Sequence, residues 1–419
     1  MEIRRILLKE VGDIAISVLD TQCEKMGIKP NSIEVSHLTT LSGLITNAIK
    51  PTIGYDRATK VGKEIQKYKV LAELEELKMP KSEYEAKRQI NALVNMGNIC
   101  ITIGEWDEAL DYYRKALNNI KNMKYPVKEG EIYRQIGHIY KRRSSWDDAV
   151  KNFMKGMLLA RQISDHMGLS DAERGLGYVN WRRGRYDEAM VHFEKSLEYA
   201  KKIGRDDTIG TTLIEFGLVH SDIGKLDDAI NYYHDSIEYL VRAKEYHQVA
   251  RAYNNLGDTY LQREEYPKAV EYFQKCIEYG EKIKHDMMIA WGLFNTAEAQ
   301  AKSGKPDEAI KNCEKAIPIL EKLDDRIGLY AVHRNLGVAH KVKKNWEEAE
   351  ENFKKSQKVV DELNSPFNIA HLYFEWGHLY KEKGDKKKAK EIFTKAIDIF
   401  DKLGAEKFSE RTQKALDTL

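Results

Sequence analysis

The chain has 419 residues, 32% of them charged, and a formal net charge of +2 at pH 7. Acids and bases nearly cancel, which excludes a global electrostatic case for nucleic acid or an anionic membrane surface. No run approaches the roughly 20 apolar residues of a membrane span, the charged opening Met1 to Lys9 is no secretory signal, and Cys23, Cys100, Cys276 and Cys313 stand too far apart for a metal-ligand pairing. The expectation is a reduced, cytoplasmic chain with no metal and no cofactor.

Residues 1 to about 70 read as three helices. In the first, Ile3 to Met26, apolar residues recur at helical spacing at Ile6, Leu7, Val11, Ile14, Ala15, Val18 and Leu19, and Gly27 and Pro30 end it. A second starts near Ser36 and runs through Leu38, Leu41 and Ile45 to Ile49, with Pro51 as its break. A third starts near Gly54 or Asp56 and continues to Lys78, before Pro80. One apolar face on each predicts a bundle with a connecting helix over residues 1–80. A bundle of this size is marginal alone, so it packs on the neighbouring C-terminal helices or self-associates with a second chain.

Over residues 81–409 a forty-residue unit repeats eight times. Its anchor is Gly97, Gly137, Gly177, Gly217, Gly257, Ala297, Gly337 and Gly377. Twelve residues after each anchor stands an alanine, Ala109 to Ala389. Four further on is an aromatic, Tyr113, Phe153, Phe193, Tyr233, Phe273, Phe353 or Phe393, with Cys313 as the exception. Three beyond that is a small residue, from Ala116 and Gly156 to Ala396. Such a period predicts stacked helical hairpins, the small residues at close helix crossings and the aromatic filling the gap between one hairpin and the next. Glycine marks the turn of most hairpins, but Ser144, Glu264 and Lys344 replace it in three, where the turn should be less ideal. In register, Glu410 to Leu419 supplies one more first helix, a polar cap over residues 410–419.

The run Tyr253 to Tyr260, followed by Ala269, Tyr272, Phe273 and Cys276, resembles the tetratricopeptide repeat. The forty-residue form, with segments such as Lys202-Ile203-Gly204-Arg205-Asp206 between hairpins, is similar to that of G-protein-signalling modulators, kinesin light chains and bacterial Rap-type regulators. The resemblance covers residues 85 to 419 and implies an all-α, right-handed superhelical solenoid whose first helices line a concave groove. It also implies that asparagines two before the anchor hold an extended peptide; here they are Asn95, Asn255, Asn295 and Asn335. Their poor helix propensity calls for a reason, and an amide that donates and accepts suits a peptide backbone. The other reading is that they bridge neighbouring helices. Asn254 and Arg334 stand one position earlier.

Local charge is the second signal. Arg134, Lys141, Arg142, Arg143, Arg174, Arg182, Arg183 and Arg185 cluster in the second and third repeats with His138, Tyr178 and Trp181. Arginine suits bidentate carboxylate contacts, so an acidic peptide is one partner; stacking on RNA is another. A third reading is a solvated face balanced by Asp147, Asp148, Asp187 and Glu188. Nucleic acid lacks the basic excess it usually accompanies. There is no Gly-rich phosphate loop, nucleophile elbow or His-Glu-x-x-His, and His138, His220, His340 and His378 have no acid at ligand spacing, so no catalytic residues are expected. The leading expectation is an interaction scaffold that binds a peptide through Asn95, Arg134, His138, Arg174, Tyr178, Arg182, Asn254, Asn255, Asn295, Arg334 and Asn335. The alternatives are a sensor whose ligand changes the superhelix pitch, and an RNA-binding repeat protein.

Overall fold

The structure, a computed structural model, describes residues 2–121 and 123–419. Helices account for nearly all of it, and among the described residues there is no strand. The chain divides into two compact units, Met1–Glu245 and Tyr246–Leu419.

The first unit opens with α1 (Glu2–Val11), α2 (Ala15–Lys25), α3 (Leu38–Ile53) and α4 (Tyr55–Glu76). Two sequence expectations fail here. The first helix is interrupted, because Gly12 takes a left-handed φ of 67° and a short 3-10 turn re-aims the chain, so that Leu7 and Ala15 both reach the core. Pro51 does not break the second helix. It sits in the last turn, where it removes one intrahelical hydrogen bond but leaves only two residues beyond it to misalign, and α3 runs on until Ile53 is buried and the Gly54 N–H caps the Lys50 carbonyl at 3.1 Å. The helices α3 and α4 cross closely at Gly62, whose carbonyl accepts a hydrogen bond from Ser42 Oγ at 2.8 Å. The far half of α4 then joins the core of the first hairpin through Val70 and Leu74. Lys67 ties the junction from outside, its ammonium 2.7 Å from Glu105 and 3.0 Å from Glu108.

Hairpins continue the chain at the expected period: α5 (Glu83–Ile103) with α6 (Trp106–Ile120), α7 (Pro126–Arg142) with α8 (Trp146–Gln162), α9 (His166–Arg182) with α10 (Tyr186–Lys202), and α11 (Asp206–Asp222) with α12 (Leu226–Arg242). The second unit keeps the pattern with α13 (Tyr246–Gln262) and α14 (Tyr266–Ile283), α15 (Asp286–Lys302) and α16 (Pro306–Leu323), α17 (Arg326–Val342) and α18 (Trp346–Leu363), and α19 (Pro366–Lys383) and α20 (Lys386–Lys402). A final helix, α21 (Glu406–Asp417), starts four residues earlier than expected and is amphipathic: Thr412 is buried, and Phe408 packs on Phe367 and Phe400.

The aromatic fills the gap between one hairpin and the next, as Phe193 does against Phe216 and Phe353 against Trp376. Its ring also lies against the anchor glycine of its own hairpin. A Cβ built on Gly257 would stand 2.4 Å from Phe273 Cε1, and one on Gly137 2.9 Å from Phe153. Phe153 also reaches the next hairpin, where Gly175 leaves it room. The single alanine anchor, Ala297, belongs to the one repeat whose aromatic is replaced, by Cys313, and both are wholly buried in one core. One extra methyl on one helix is thus met by a smaller residue on the other.

The turns are more uniform than their sequences. Ser144, Glu264 and Lys344 adopt φ of 57°, 61° and 61°, the conformation that Gly184 (73°) and Gly304 (77°) hold in other hairpins. Packing imposes the turn, and the side chain bears the strain. Lys344→Gly should therefore stabilise by about 0.5–1 kcal/mol, the left-handed cost less glycine's extra chain entropy. Gly257→Ala should go the other way, by roughly 1–3 kcal/mol from overpacking, although helix propensity alone favours alanine. Urea denaturation of the two variants checks both signs; a stabilised Gly257→Ala would mean the ring does not set the crossing.

Candidate functional site

First helices pack on the first helices of neighbouring hairpins, α7 on α9 and α9 on α11 in the first unit, α15 on α17 and α17 on α19 in the second. Within each unit, several of the residues expected to bind peptide bridge one first helix to the next. Asn295 Nδ2 donates to Asn254 Oδ1 at 2.9 Å, and Asn335 Nδ2 to the Phe294 carbonyl at 2.8 Å. Arg174 reaches Glu215 at 3.5 Å. In each case the residue two before one anchor meets the residue three before the preceding anchor. Two of the four asparagines remain outside this ladder: Asn95 is exposed, and the buried Asn255 Nδ2 has no hydrogen-bond partner.

In the first unit a cavity of about 640 Å³ opens along α7, α9 and the start of α11. Arg134, His138, Asp171 and Arg174 line it, with Val127, Met167 and Ile203 as its apolar part. Asp171 is the hub. His138 Nε2 lies 3.0 Å from it, Arg174 3.1 Å and Arg134 3.5 Å. Burial pushes the Asp171 carboxyl up, but His138 and the two arginines overcome that and hold it well below the usual carboxylate range. Burial lowers His138 against the upward pull of Asp171, and its Nε2–H donates to the Asp171 carboxylate. Arg134 is only 9% exposed. It occupies a slot that glycine creates: a Cβ on Gly168 would meet Arg134 Nη1 at 2.5 Å, and one on Gly156 would meet Arg134 Cγ at 2.6 Å. Its Nη1, Arg174 Nε and Glu215 Oε2 are buried without partners. The rim differs. Arg182 is exposed beside the Trp181 ring, and Trp181 Nε1 donates to Asp222 at 2.6 Å. Lys141 lies over the Tyr178 ring at 4.5 Å.

The basic cluster is therefore split. Arg134 and Arg174 are paired with acids of the same face, and Arg143 and Arg183 bond Asp107 at 2.8 Å and Asp147 at 2.5 Å. Sequence reading missed Asp171 and Glu215 because Asp171 sits a hairpin away from Arg134 and His138, and Glu215 a hairpin away from Arg174. The expectation that His138 lacks an acid partner is wrong for the same reason: Asp171 is 33 residues on. The glycines at 156 and 168 were the available signal, as both stand where a larger residue would fill the arginine slot.

The second unit carries a tighter network. Arg334 bonds Glu298, Asn335 Oδ1 at 3.0 Å and His371 Nδ1 at 2.9 Å, under the Tyr330 ring. Burial raises Glu298, but Arg334 and Lys302 bring it far below its ordinary value. Burial and Arg334 push His371 down to about 4. Asp258, which accepts from Asn254 Nδ2 at 3.2 Å, is pushed up to about 8 by burial and by Glu298. The four cysteines are buried and unpaired. Cys100, Glu105 and Glu108 converge closely enough to hold a metal ion, but the Lys67 ammonium already lies between the two carboxylates.

Asp258 gives a signed pH test. Unfolded aspartate titrates near about 3.9, whereas the folded group does so near 8. Between these values the folded chain binds the extra proton, so this group's contribution to stability falls as pH rises. Asp258→Asn keeps the acceptor for Asn254 without the titration. Its stability relative to the wild type should rise from pH 5 to pH 8, by on the order of 1–3 kcal/mol, the usual cost of a badly solvated buried polar group. An identical difference at both pH values would contradict the assignment.

With this geometry in view, known proteins supply a context. The sequence matches the tetratricopeptide repeat model over residues 129–202, 208–282 and 328–402, more than half of the chain. A second tetratricopeptide repeat model matches residues 92–122, and the model of anaphase-promoting complex subunit 5 matches 258–339. No curated protein matches the sequence. Similar solved structures include a signal transduction ATPase with a tetratricopeptide repeat sensor from Pyrococcus horikoshii, 17% identical over 86% of this chain and 62% of that one, with a TM-score of 0.54. A Rap protein complexed with competence and sporulation factor is 13% identical over 92% of this chain and 96% of that one, with a TM-score of 0.51. Aspartyl phosphate phosphatase F from Bacillus subtilis is 16% identical over 86% and 83%, with a TM-score of 0.50. At these identities the likeness is one of fold.

Proposed function

The chain belongs to the tetratricopeptide repeat family, and from that premise we propose that it is a cytoplasmic interaction scaffold that binds a segment of a protein partner on the first-helix face of its first unit. The observation that carries this is the cavity along α7, α9 and the start of α11, two of whose lining residues, Arg134 and Arg174, keep a buried nitrogen, Nη1 and Nε, without a partner. Buried polar groups are ordinarily satisfied. A peptide backbone offers donors and acceptors in alternation, which suits a face that presents both kinds. Val127 and Met167, each about half exposed at 52% and 54%, supply apolar contact at the rim. We take the segment to be acidic because the adjoining cavity is lined by Lys141, Arg142 and Arg174 and by no carboxylate. The Rap structure contains a bound factor, which is consistent with this use of the fold.

A plain scaffold is preferred to a pitch-changing sensor. The α4 helix packs into the first hairpin through Val70 and Leu74 and is pinned there by Lys67, which favours a fixed N-terminal bundle.

The test is selection of random peptides on the immobilised chain. Retained peptides should be rich in aspartate and glutamate. Gln135→Ala, in the cavity wall, and Arg182→Glu together should weaken the best of them about tenfold, or ~1.4 kcal/mol, with unchanged helix content. Arg134 and Arg174 are unsuitable for reversal because each is paired at depth. No enrichment, together with tight RNA retention that falls steeply with salt, would contradict the proposal.

A further inference from the structure

A second, smaller cavity of about 260 Å³ lies between α5, the start of α6, α7 and α9. His138, Lys141, Arg142 and Arg174 face it, Trp106 and Ile139 give it an apolar side, and no carboxylate lines it. The larger neighbouring cavity, by contrast, has Asp171 in its wall.

The forty-residue register provides an internal comparison. Lys341 stands five repeats after Lys141. Its ammonium lies 3.3 Å from Glu382 and 3.9 Å from Glu375. Around Lys141 the positions matching those two carboxylates hold Arg182 and Gly175. Arg142, His138 and Arg174 are matched by Val342, Val338 and Phe374. The same helix junction is thus built with balanced charge in one unit and with surplus cation in the other. A lysine in the last turn complements the helix dipole in both places, but that does not explain why both acids are exchanged in one of them. Among the described residues no carboxylate lies within ion-pair distance of Lys141. Burial and Arg174 lower its ammonium to about 8, against the opposing pull of Glu215 and Asp171.

We propose that this cavity holds an anionic side chain of the bound segment, a carboxylate or a phosphorylated hydroxyl, against Lys141, Arg142 and Arg174, with the hydrocarbon part on Trp106. This rests on the peptide-binding reading and adds the position of one anchor.

The experiment is site-resolved acetylation of the full chain at pH 8, read by mass spectrometry. Three dodecamer probes are compared: one rich in glutamate, one with phosphoserine in place of the glutamates, and one with glutamine. In the free chain Lys141 should acetylate faster than Lys341, whose ammonium is paired. An anionic probe should slow Lys141 at least about tenfold, and the glutamine probe should not; the anionic probe that protects at the lower concentration identifies the source of the charge. Lys141→Gln should weaken that probe by a similar factor with an unchanged thermal midpoint. Unprotected Lys141, with library-selected peptides still bound elsewhere on the face, overturns this proposal alone. Equal protection by the glutamine probe overturns it as well. Failure of every peptide to bind removes both this proposal and the reading beneath it.

Discussion

A helical hairpin can close tightly only if something at the crossing is missing, and here it is the Cβ of the anchor residue. Seven rings sit against seven glycines, and a Cβ at those glycines would come within 2.4–2.9 Å of the ring. Real Cβ atoms do not approach so closely, so the ring and the glycine are one unit of structure. The remaining hairpin, the sixth in chain order, exchanges both members together, Ala297 with Cys313. Because the crossing is fixed, turn residues as unlike as Ser144, Glu264 and Lys344 are driven to positive φ. The angle of each hairpin, the adjacency of first helices and the place of the binding face all depend on that contact.

A scaffold of repeated positions makes charge differences readable. Arg134 and Arg334 stand five repeats apart and are both buried, but one is answered by Asp171 and Asp165 and the other by Glu298. Lys141 and Lys341 also share a position and differ in their partners. The backbone demands the same packing at each, so a difference in polar partners is free to serve binding.

The repeat, the helical class and the position of each hairpin were legible in the sequence because period, glycine and aromatic recur with little noise. Pro51 and Gly12 were misread because helix breaking depends on where in the helix the residue falls and on what is buried beyond it. The site was legible only in part. Register placed Arg134, Arg174, Asn255, Asn295 and Asn335 on one face, but it did not show which of them were engaged, since the partners lie on other hairpins. Arg134 looked like a surface cation and is buried in a glycine slot; Asn295 and Asn335 looked like peptide clamps and bridge helices. Local spacing records Asp171 beside Arg174 and Glu298 beside Lys302, but the pairing of Asp171 with Arg134, Glu215 with Arg174 and Glu298 with Arg334 depends on approach across hairpins.

The central claim is that the first-helix face of the first unit holds a peptide. Photo-crosslinking tests it most directly: a library-selected peptide carries a photoreactive residue at each position in turn, and the attached sites are mapped by mass spectrometry. The account predicts crosslinks on α7, α9 and the start of α11, at residues such as Gln135, Met167 and Thr208 that line the cavity. Crosslinks concentrated on the second helices α8 and α10, or on the N-terminal helices α1 to α3, would contradict it.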